Sequence, residues 1–265
     1  MLGLQHIVTP MKFDRINVLG VGISDLNLQT ALAAIAGSVS SRTKGYVCVT
    51  GVHGVMEARQ DPAFRRILNG AFLNTPDGMP MVWMGKFAGR RQMSRVYGPD
   101  LMVEVFGWSR NNGCRHFFYG GKPGVALEIQ RKVEERFPGT VVCGCYSPPF
   151  RALNTEEEAE LVATITRLRP DIIWVGLSTP KQEQFMAQYL PKLDTTLMIG
   201  VGAAFDFWAG CVRQAPRWIQ RSGFEWLYRL CQEPGRLWRR YLKNNPAFIL
   251  NVVGQLTGFK KYPID

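Results

Sequence analysis

Apolar residues along the chain form short continuous runs that alternate with longer stretches at helical spacing. The short runs predict buried strands at residues 16–21, 46–50, 71–74, 115–119, 140–145, 171–175 and 196–201. The longer stretches predict helices at residues 28–39, 52–70, 124–137, 154–168 and 180–190, the second of them broken near Asp61. Strands that alternate with helices of this length indicate an α/β fold, with a mostly parallel, doubly wound sheet and helices on both faces.

Polar or glycine-rich residues directly follow several of the predicted strands. These segments are Thr50 and residues 75–78, 120–124, 176–183 and 200–206. Ligands of open parallel sheets bind at the carboxyl ends of the strands. We therefore expect these segments to converge on one edge of the sheet and to form the functional site there.

The pattern changes after about residue 209, where a segment rich in Trp and Arg begins. We predict an α/β core over residues 1–209 and a helical, basic appendage over residues 210–265. Residues 213–265 hold ten Lys and Arg against three acids, which gives this segment a net charge of +7 out of the +11 of the whole chain. Basic residues interleaved with aromatic ones predict contact with an anionic membrane surface. The alternative is that these helices pack on the core and leave the Arg side chains in solvent.

Composition narrows the class of protein. A chain of 265 residues that is 46% hydrophobic can bury a sizeable core. Its six cysteines lack metal-ligand spacing and indicate reduced thiols. Residues 1–10 do not have the pattern of a signal peptide, and no apolar run reaches the length of about 20 residues that crosses a bilayer. These features predict a cytoplasmic protein whose membrane contact is peripheral.

Asp77 is the first candidate for catalysis. It stands in Asn74-Thr75-Pro76-Asp77-Gly78, directly after a predicted strand and between a rigid proline and a permissive glycine. This position suits a carboxylate that enters a cleft. The same Pro-Asp-Gly sequence also favours an ordinary turn, so the spacing leaves both interpretations open.

A second candidate is the glycine-rich segment that opens a predicted helix. It comprises Gly120, Gly121, Lys122, Pro123 and Gly124. Backbone N–H groups and the helix dipole at such a junction suit a phosphate group, although an ordinary strand-to-helix turn would have the same composition. The spacing of a P-loop is absent.

Other polar residues after the strands are candidates for substrate binding. Gln182 suits the hydroxyl groups of a sugar, and Glu183 either faces a ligand or supplies a first-turn charge. Asp206, shortly after Gly202 and between two phenylalanines, is either functional or bonded to nearby backbone. His53 is a lone histidine, and such residues are more often structural than catalytic.

The aspartates are spaced in a way that argues against a bound metal ion. No two of them are separated by a single residue, so the D-x-D arrangement that holds a metal on a diphosphate is absent. We therefore predict chemistry without a metal or other cofactor, in which basic side chains or helix N-termini neutralise a leaving diphosphate.

Several longer motifs occur in order along the chain and carry a family resemblance. They are Thr75-Pro76-Asp77-Gly78-Met79-Pro80, Phe118-Tyr119-Gly120-Gly121-Lys122-Pro123-Gly124, Val175-Gly176-Leu177-Ser178-Thr179-Pro180-Lys181-Gln182-Glu183, Gly200-Val201-Gly202-Ala203-Ala204-Phe205-Asp206-Phe207, Ala215-Pro216-Arg217-Trp218, Gly223-Phe224-Glu225-Trp226-Leu227-Tyr228-Arg229-Leu230 and Glu233-Pro234-Gly235-Arg236-Leu237-Trp238-Arg239-Arg240-Tyr241. Together they resemble the WecG/TagA/CpsF glycosyltransferases, glycosyltransferase family 26, over residues 16–241.

The resemblance implies a Rossmann-like core and an inverting, metal-independent transferase. The donor would be UDP-glucose, UDP-ManNAc or UDP-ManNAcA, and the acceptor a polyprenyl-diphosphate-linked sugar. The product would belong to a teichoic acid, common antigen, capsule or exopolysaccharide. The resemblance makes Asp77 the general base and places Thr50 in the active-site pocket. It associates the Arg-rich appendage, with Arg217 and Arg221, with membrane docking and completion of the site.

One departure from the family pattern concerns the segment after the second strand. Many relatives read T-x-N-x-E there, whereas this chain reads Thr50-Gly51-Val52-His53-Gly54. The change predicts that His53 touches substrate, and it leaves the donor and acceptor sugars open. The oligomeric state is open too, a homo-oligomer included.

The sequence leaves two other functions open. The first is a dinucleotide-dependent oxidoreductase, but Gly20-Val21-Gly22 and Gly200-Val201-Gly202 each begin a G-x-G-x-x-G fingerprint without completing it. The second is a non-enzymatic nucleic-acid-binding protein, which the basic tail with its interleaved aromatic residues permits. The transferase is preferred, with no nucleic acid among its partners.

Overall fold

The computed structural model describes residues 13–264, so the prediction about residues 1–10 lies outside the described residues. The described chain begins with a hairpin of two antiparallel strands, β1 (Arg15–Val18) and β2 (Val21–Ser24). The prediction of one strand over residues 16–21 was wrong. Leu19 and Gly20 have φ values of 54° and 90° and form a tight turn that reverses the chain inside this apolar run.

Six further strands form one sheet in which all neighbours are parallel. They are β3 (Gly45–Thr50), β4 (Leu73–Pro76), β5 (Arg115–Gly120), β6 (Val141–Tyr146), β7 (Ile172–Gly176) and β8 (Leu197–Gly200). Their order across the sheet is β4-β3-β8-β7-β5-β6. The remaining six strand predictions and the Rossmann-like α/β class are therefore confirmed.

The helices of the core connect these strands. They are α1 (Leu28–Ser41), α2 (Val52–Gln60), α3 (Pro62–Asn69), α4 (Met79–Phe87), α5 (Gly98–Ser109), α6 (Val125–Arg136), α7 (Thr155–Leu168), α8 (Lys181–Tyr189) and α9 (Ala204–Ala209). The predicted break near Asp61 is confirmed, because the Asp61 carboxylate accepts hydrogen bonds from the backbone N–H groups of Ala63 and Phe64 and caps α3.

Two apolar clusters lie on the two faces of the sheet, which confirms the prediction of helices on both. One cluster joins the hairpin with side chains of α2, α3, α7 and α8, and the other joins α1, α5, α6 and α9. His116 is buried in this interior, where Trp174 Nε1 donates to its Nδ1 and its Nε2 lies 2.9 Å from Ser109 Oγ. Burial lowers the pKa of His116 to about 3, so this histidine is structural.

Three helices follow the core: α10 (Arg217–Ser222), α11 (Glu225–Gln232) and α12 (Pro234–Leu256). α12 packs along α2 and reaches the hairpin turn, where the Gln255 amide accepts from Leu19 N and donates to Asn17 O. The division of the chain at residue 209 stays a prediction. None of the helices within residues 13–264 combines the length and apolar content that crossing a bilayer requires.

Candidate active site

A cleft of about 800 Å³ opens at the carboxyl ends of the parallel strands. The loops after β3, β4, β5, β7 and β8 all reach it, as the strand-end rule predicts. Of the predicted site residues, those that line the cleft are Thr50, His53, Asp77, Gly121, Gln182, Glu183, Gly202 and Asp206. Those that do not line it are Gly120, Lys122, Gly124, Arg217 and Arg221.

Asp77 lies at the tip of β4, where its backbone N–H donates to Thr50 O at 3.0 Å. Gly51 makes room for it, because a Cβ there would meet Asp77 O at 3.1 Å. The pKa of Asp77 is raised to about 6, mainly by burial. The Glu225 carboxylate adds to this rise, and the guanidinium groups of Arg95 and Arg229 oppose it. A carboxylate with this pKa is suited to accept a proton near neutral pH.

Arg95 is a functional candidate that the sequence reasoning missed. Its guanidinium lies 3.9 Å from the centroid of the Tyr97 ring, donates to Gln220 Oε1 at 2.9 Å and pairs with the Glu225 carboxylate. The side chains of Arg95 and Glu225 are 12% and 16% exposed. This nearly buried contact ties the segment before α5 to α10 and α11, and so holds the appendage beside Asp77.

Three arginines of the appendage line the cleft: Arg229, Arg236 and Arg240. Their charges act on the carboxylates there. Burial raises the pKa of Asp206, while Arg236 and Lys122 lower it, which places Lys122 near Asp206 although it is exposed and outside the cleft.

Arg217 and Arg221, which the sequence reasoning selected, lie elsewhere. Arg217 donates to both carboxylate oxygens of Asp100, at 2.8 and 3.1 Å, and Arg221 is exposed. α10 ends at Ser222 and is capped by Gly223, which has a φ of 83°. The chain turns there, so α11 and α12 rather than α10 bring arginines to the cleft. A substrate contact of Arg217 or Arg221 stays a prediction.

Buried polar atoms without a hydrogen-bond partner concentrate in this cleft. Among residues 13–264, ten buried side-chain nitrogen and oxygen atoms lack a partner, and seven belong to residues that line it. The seven are Thr50 Oγ1, Tyr97 OH, Gln182 Oε1, Glu183 Oε2, Arg229 Nε, Arg240 Nε and Asn244 Oδ1. Because buried polar groups are nearly always satisfied, this concentration is typical of a site that binds a polar ligand.

Gln182 and Glu183 are both buried at the start of α8. Glu183 Oε1 accepts from Thr179 Oγ1 and from Gln182 Nε2, each at 2.9 Å. Burial raises the pKa of Glu183, and these hydrogen bonds oppose that shift. These hydrogen bonds hold the two side chains in place, and they leave Gln182 Oε1 and Glu183 Oε2 free to bind a ligand.

The glycine-rich segment after β5 is fixed by its neighbour β7. Gly121 N–H donates to Gly176 O at 3.0 Å, so this donor is already engaged and is not free for a phosphate. Gly120 has a φ of 122°, and a Cβ on it would lie 2.6 Å from Gly176 O. The approach of the two strands thus requires glycine at Gly120.

Comparison with known proteins identifies the family. The sequence model of the glycosyl transferase WecG/TagA/CpsF family matches residues 16–262. The chain belongs to this family. A relative from Bacillus spizizenii, named N-acetylglucosaminyldiphosphoundecaprenol N-acetyl-beta-D-mannosaminyltransferase, is 31% identical over 230 residues, which are 86% of this chain and 87% of the relative. A relative of the same name from Bacillus subtilis is 31% identical over 196 residues, or 74% of each chain.

The family assignment confirms the resemblance seen in the motifs and makes the protein a glycosyltransferase. The oxidoreductase and the non-enzymatic binding protein are therefore set aside. The structure supplies a physical reason against the first. Gly20-Val21-Gly22 spans the hairpin turn and the start of β2, and does not lie at a strand-to-helix junction of the sheet.

His53 lies at the start of α2, in the segment after β3. Its Nδ1 lies 3.1 Å from Asn244 Nδ2 on α12 and 3.6 Å from the carboxylate of Glu57. Burial and the charge of Arg240 lower the pKa of His53 to about 4, although the backbone of Thr179 opposes this. A neutral His53 therefore accepts from Asn244 and helps to hold α12 over the cleft. Its contact with substrate stays a prediction.

The close approach at Gly120 yields a testable expectation for stability. Gly120→Ala should lower the free energy of unfolding by about 2 kcal/mol or more, because it adds a backbone clash to a φ that alanine avoids. Gly37→Ala, inside α1 with no atom within 4 Å of the new Cβ, is the matched control and should stabilise by up to about 1 kcal/mol. Urea denaturation measures both, and equal stability of the two variants would contradict the expectation.

Proposed function

We propose that this glycosyltransferase moves a sugar from a UDP-sugar to a polyprenyl-diphosphate-linked sugar, with inversion at the anomeric carbon and without a metal ion. The observation that carries the proposal is one cleft lined both by Asp77, with a pKa of about 6, and by Arg229 and Arg240, whose buried Nε–H groups have no hydrogen-bond partner. A base and a cationic anion-binding surface are the two elements that displacement of a diphosphate requires.

The relatives narrow the substrates within this class. Their names describe an N-acetylmannosaminyl donor group and an N-acetylglucosaminyl-diphosphoundecaprenol acceptor. We therefore propose UDP-ManNAc as the donor and a polyprenyl-diphosphate-linked GlcNAc as the acceptor to test first. UDP-glucose and UDP-ManNAcA are the other donors. The product would be an intermediate of a bacterial surface polysaccharide.

The proposed reaction is a single displacement. The acceptor hydroxyl oxygen attacks the anomeric carbon while the Asp77 carboxylate accepts the hydroxyl proton. The bond between the anomeric carbon and the diphosphate oxygen breaks, and UDP leaves with the electron pair from the opposite face. Arg229 and Arg236 neutralise the charge that grows on the diphosphate. Thr50 and Gln182 supply polar atoms for the sugars.

We further propose that the appendage holds the enzyme on the inner face of the bacterial plasma membrane. Trp218, Trp238 and Leu242 are exposed on α10 and α12. Each of them has an exposed basic neighbour in the sequence, namely Arg217, Arg239 and Lys243. Exposed aromatic side chains beside cations suit the headgroup region of an anionic bilayer. A peripheral enzyme of this kind would meet its lipid-linked acceptor at that surface.

Acceptor-dependent release of UDP tests the proposal. We expect release only when UDP-ManNAc, or another donor of the panel, is combined with a short-chain prenyl-diphosphate-linked GlcNAc, and we expect the rate to be unchanged by EDTA. NMR of the product should show an inverted anomeric centre. Release that EDTA abolishes and Mg²⁺ restores would contradict metal independence. No release with any donor and acceptor would contradict the proposed substrates.

A further inference from the structure

The cleft has an apolar arm, formed by one face of α4 and one face of α12. α4 contributes Met79, Trp83 and Phe87, and α12 contributes Phe248, Ile249 and Val253. Four of these side chains are strongly exposed although they line a concave surface: Trp83 by 42%, Phe87 by 73%, Ile249 by 61% and Val253 by 53%. Large apolar side chains that face a cleft without a partner mark a place where an apolar ligand binds.

Polarity changes in one direction along this arm. α4 begins directly after Asp77 and Gly78 and ends at Phe87. α12 lines the cleft first with Arg236 and Arg240 and, two to three turns later, with Ile249. Each wall therefore starts at the charged part of the cleft and becomes apolar away from it.

The hairpin of β1 and β2 supports both walls. α4 packs against β1, and α12 is hydrogen-bonded to the hairpin turn through Gln255. The two helices thus stand on one element of the core, which fixes the arm between them even without a ligand.

We propose that this arm binds the isoprene units of the acceptor next to the diphosphate, so that the lipid chain leaves the site between α4 and α12. The inference rests on the proposed function. Its occupant follows from charge and continuity, because α12, which forms one wall of the arm, also brings Arg240 to the same cleft. One molecule that fills both parts must join an anionic group directly to an apolar chain, as a prenyl diphosphate does and a sugar nucleotide does not.

Binding of farnesyl diphosphate, measured by calorimetry without membranes, tests the arm apart from catalysis. Wild type should bind it at least ten-fold more tightly than inorganic diphosphate. The variants Phe87→Ser, Ile249→Ser and Val253→Ser should each bind farnesyl diphosphate roughly ten-fold more weakly than wild type, and their affinity for inorganic diphosphate should be unchanged. Leu250→Ser is the matched control, because Leu250 neighbours Ile249, is 73% exposed and does not line the cleft. Its affinities should equal those of wild type.

Kinetics with soluble acceptors give the second measurement. The KM of wild type should fall when the chain on GlcNAc-diphosphate is lengthened from five to fifteen carbons, and the variants that line the arm should lose that gain. Unchanged farnesyl diphosphate binding in those variants would overturn the proposal. So would normal kinetics in solution with a loss only on vesicles, which would assign this face to the bilayer. Absence of transfer by wild type with every acceptor would refute the proposed function. The calorimetry would still show whether the arm binds a prenyl chain.

Discussion

Asp77→Asn should lower kcat by about three orders of magnitude while leaving KM for both substrates within a few-fold of wild type. A general base contributes about 10²- to 10⁴-fold, and asparagine keeps the shape of the side chain but cannot take the proton. The measurement is acceptor-dependent UDP release at pH 8, where the wild-type carboxylate is ionised. Full activity of the variant would contradict the role of Asp77 and direct attention to Asp206 or His53.

The stability of the same variant separates a catalytic role from a structural one. Burial raises the pKa of Asp77 from 3.8 to about 6, so ionising this carboxylate destabilises the folded protein. The free energy of unfolding should therefore fall as the pH rises from about 4 to 6, with the full loss present above pH 6 and none of it below pH 4. Asp77→Asn should therefore be more stable than wild type at pH 8, by roughly 3 kcal/mol, and equally stable at pH 3.5. An inactive variant with raised stability cannot owe its inactivity to unfolding.

The pH profile of the wild-type enzyme follows from the same group. Because the base must be ionised, kcat/KM should rise about ten-fold per pH unit below pH 6 and level off above it. The residual rate of Asp77→Asn should lack this step. An inflection near pH 4, the ordinary range of an aspartate, would contradict the environment described for Asp77.

The fold follows from the sequence wherever burial leaves a distinct pattern of apolar positions. Alternating apolar runs and helical stretches located the six strands of the parallel sheet, since helices cover both faces of that sheet. α4 gave no such signal, because Met-Pro-Met-Val-Trp-Met-Gly-Lys-Phe is apolar on almost every face of the helix. The hairpin was misjudged for the opposite reason. Its turn residue Leu19 is buried and apolar, so the turn is invisible in the pattern of hydrophobic positions.

The site was predictable only as far as the strands determine it. The strand-end rule brings Thr50, Asp77 and Gln182 together without knowledge of any tertiary contact. Arg95 could not be found in this way, because its partner Glu225 is 130 residues away and the pair forms only when the appendage packs on the core. Helical spacing pointed to Arg217 instead, and spacing alone cannot tell which helix faces the cleft.

Arg229→Gln should lower kcat/KM by about 10²- to 10³-fold, the usual cost of removing one group that stabilises developing charge in a transition state. Arg229 lies in the cleft, is 18% exposed and has an unpartnered Nε. UDP release with the short-chain acceptor measures the loss. Arg213→Gln, which removes an exposed charge of the appendage outside the cleft, should remain within about two-fold of wild type.

The position of the pH step shows whether Arg229 acts through its charge, its geometry or both. Its guanidinium lowers the pKa of Asp77, so Arg229→Gln should move the step of kcat/KM to higher pH as well as lower its plateau. Arg229→Lys keeps the charge but loses the planar fork. It should leave the step in place and lower only the plateau. An Arg229→Gln profile with an unshifted step and full plateau would contradict the proposed contact of the appendage with the reacting centre.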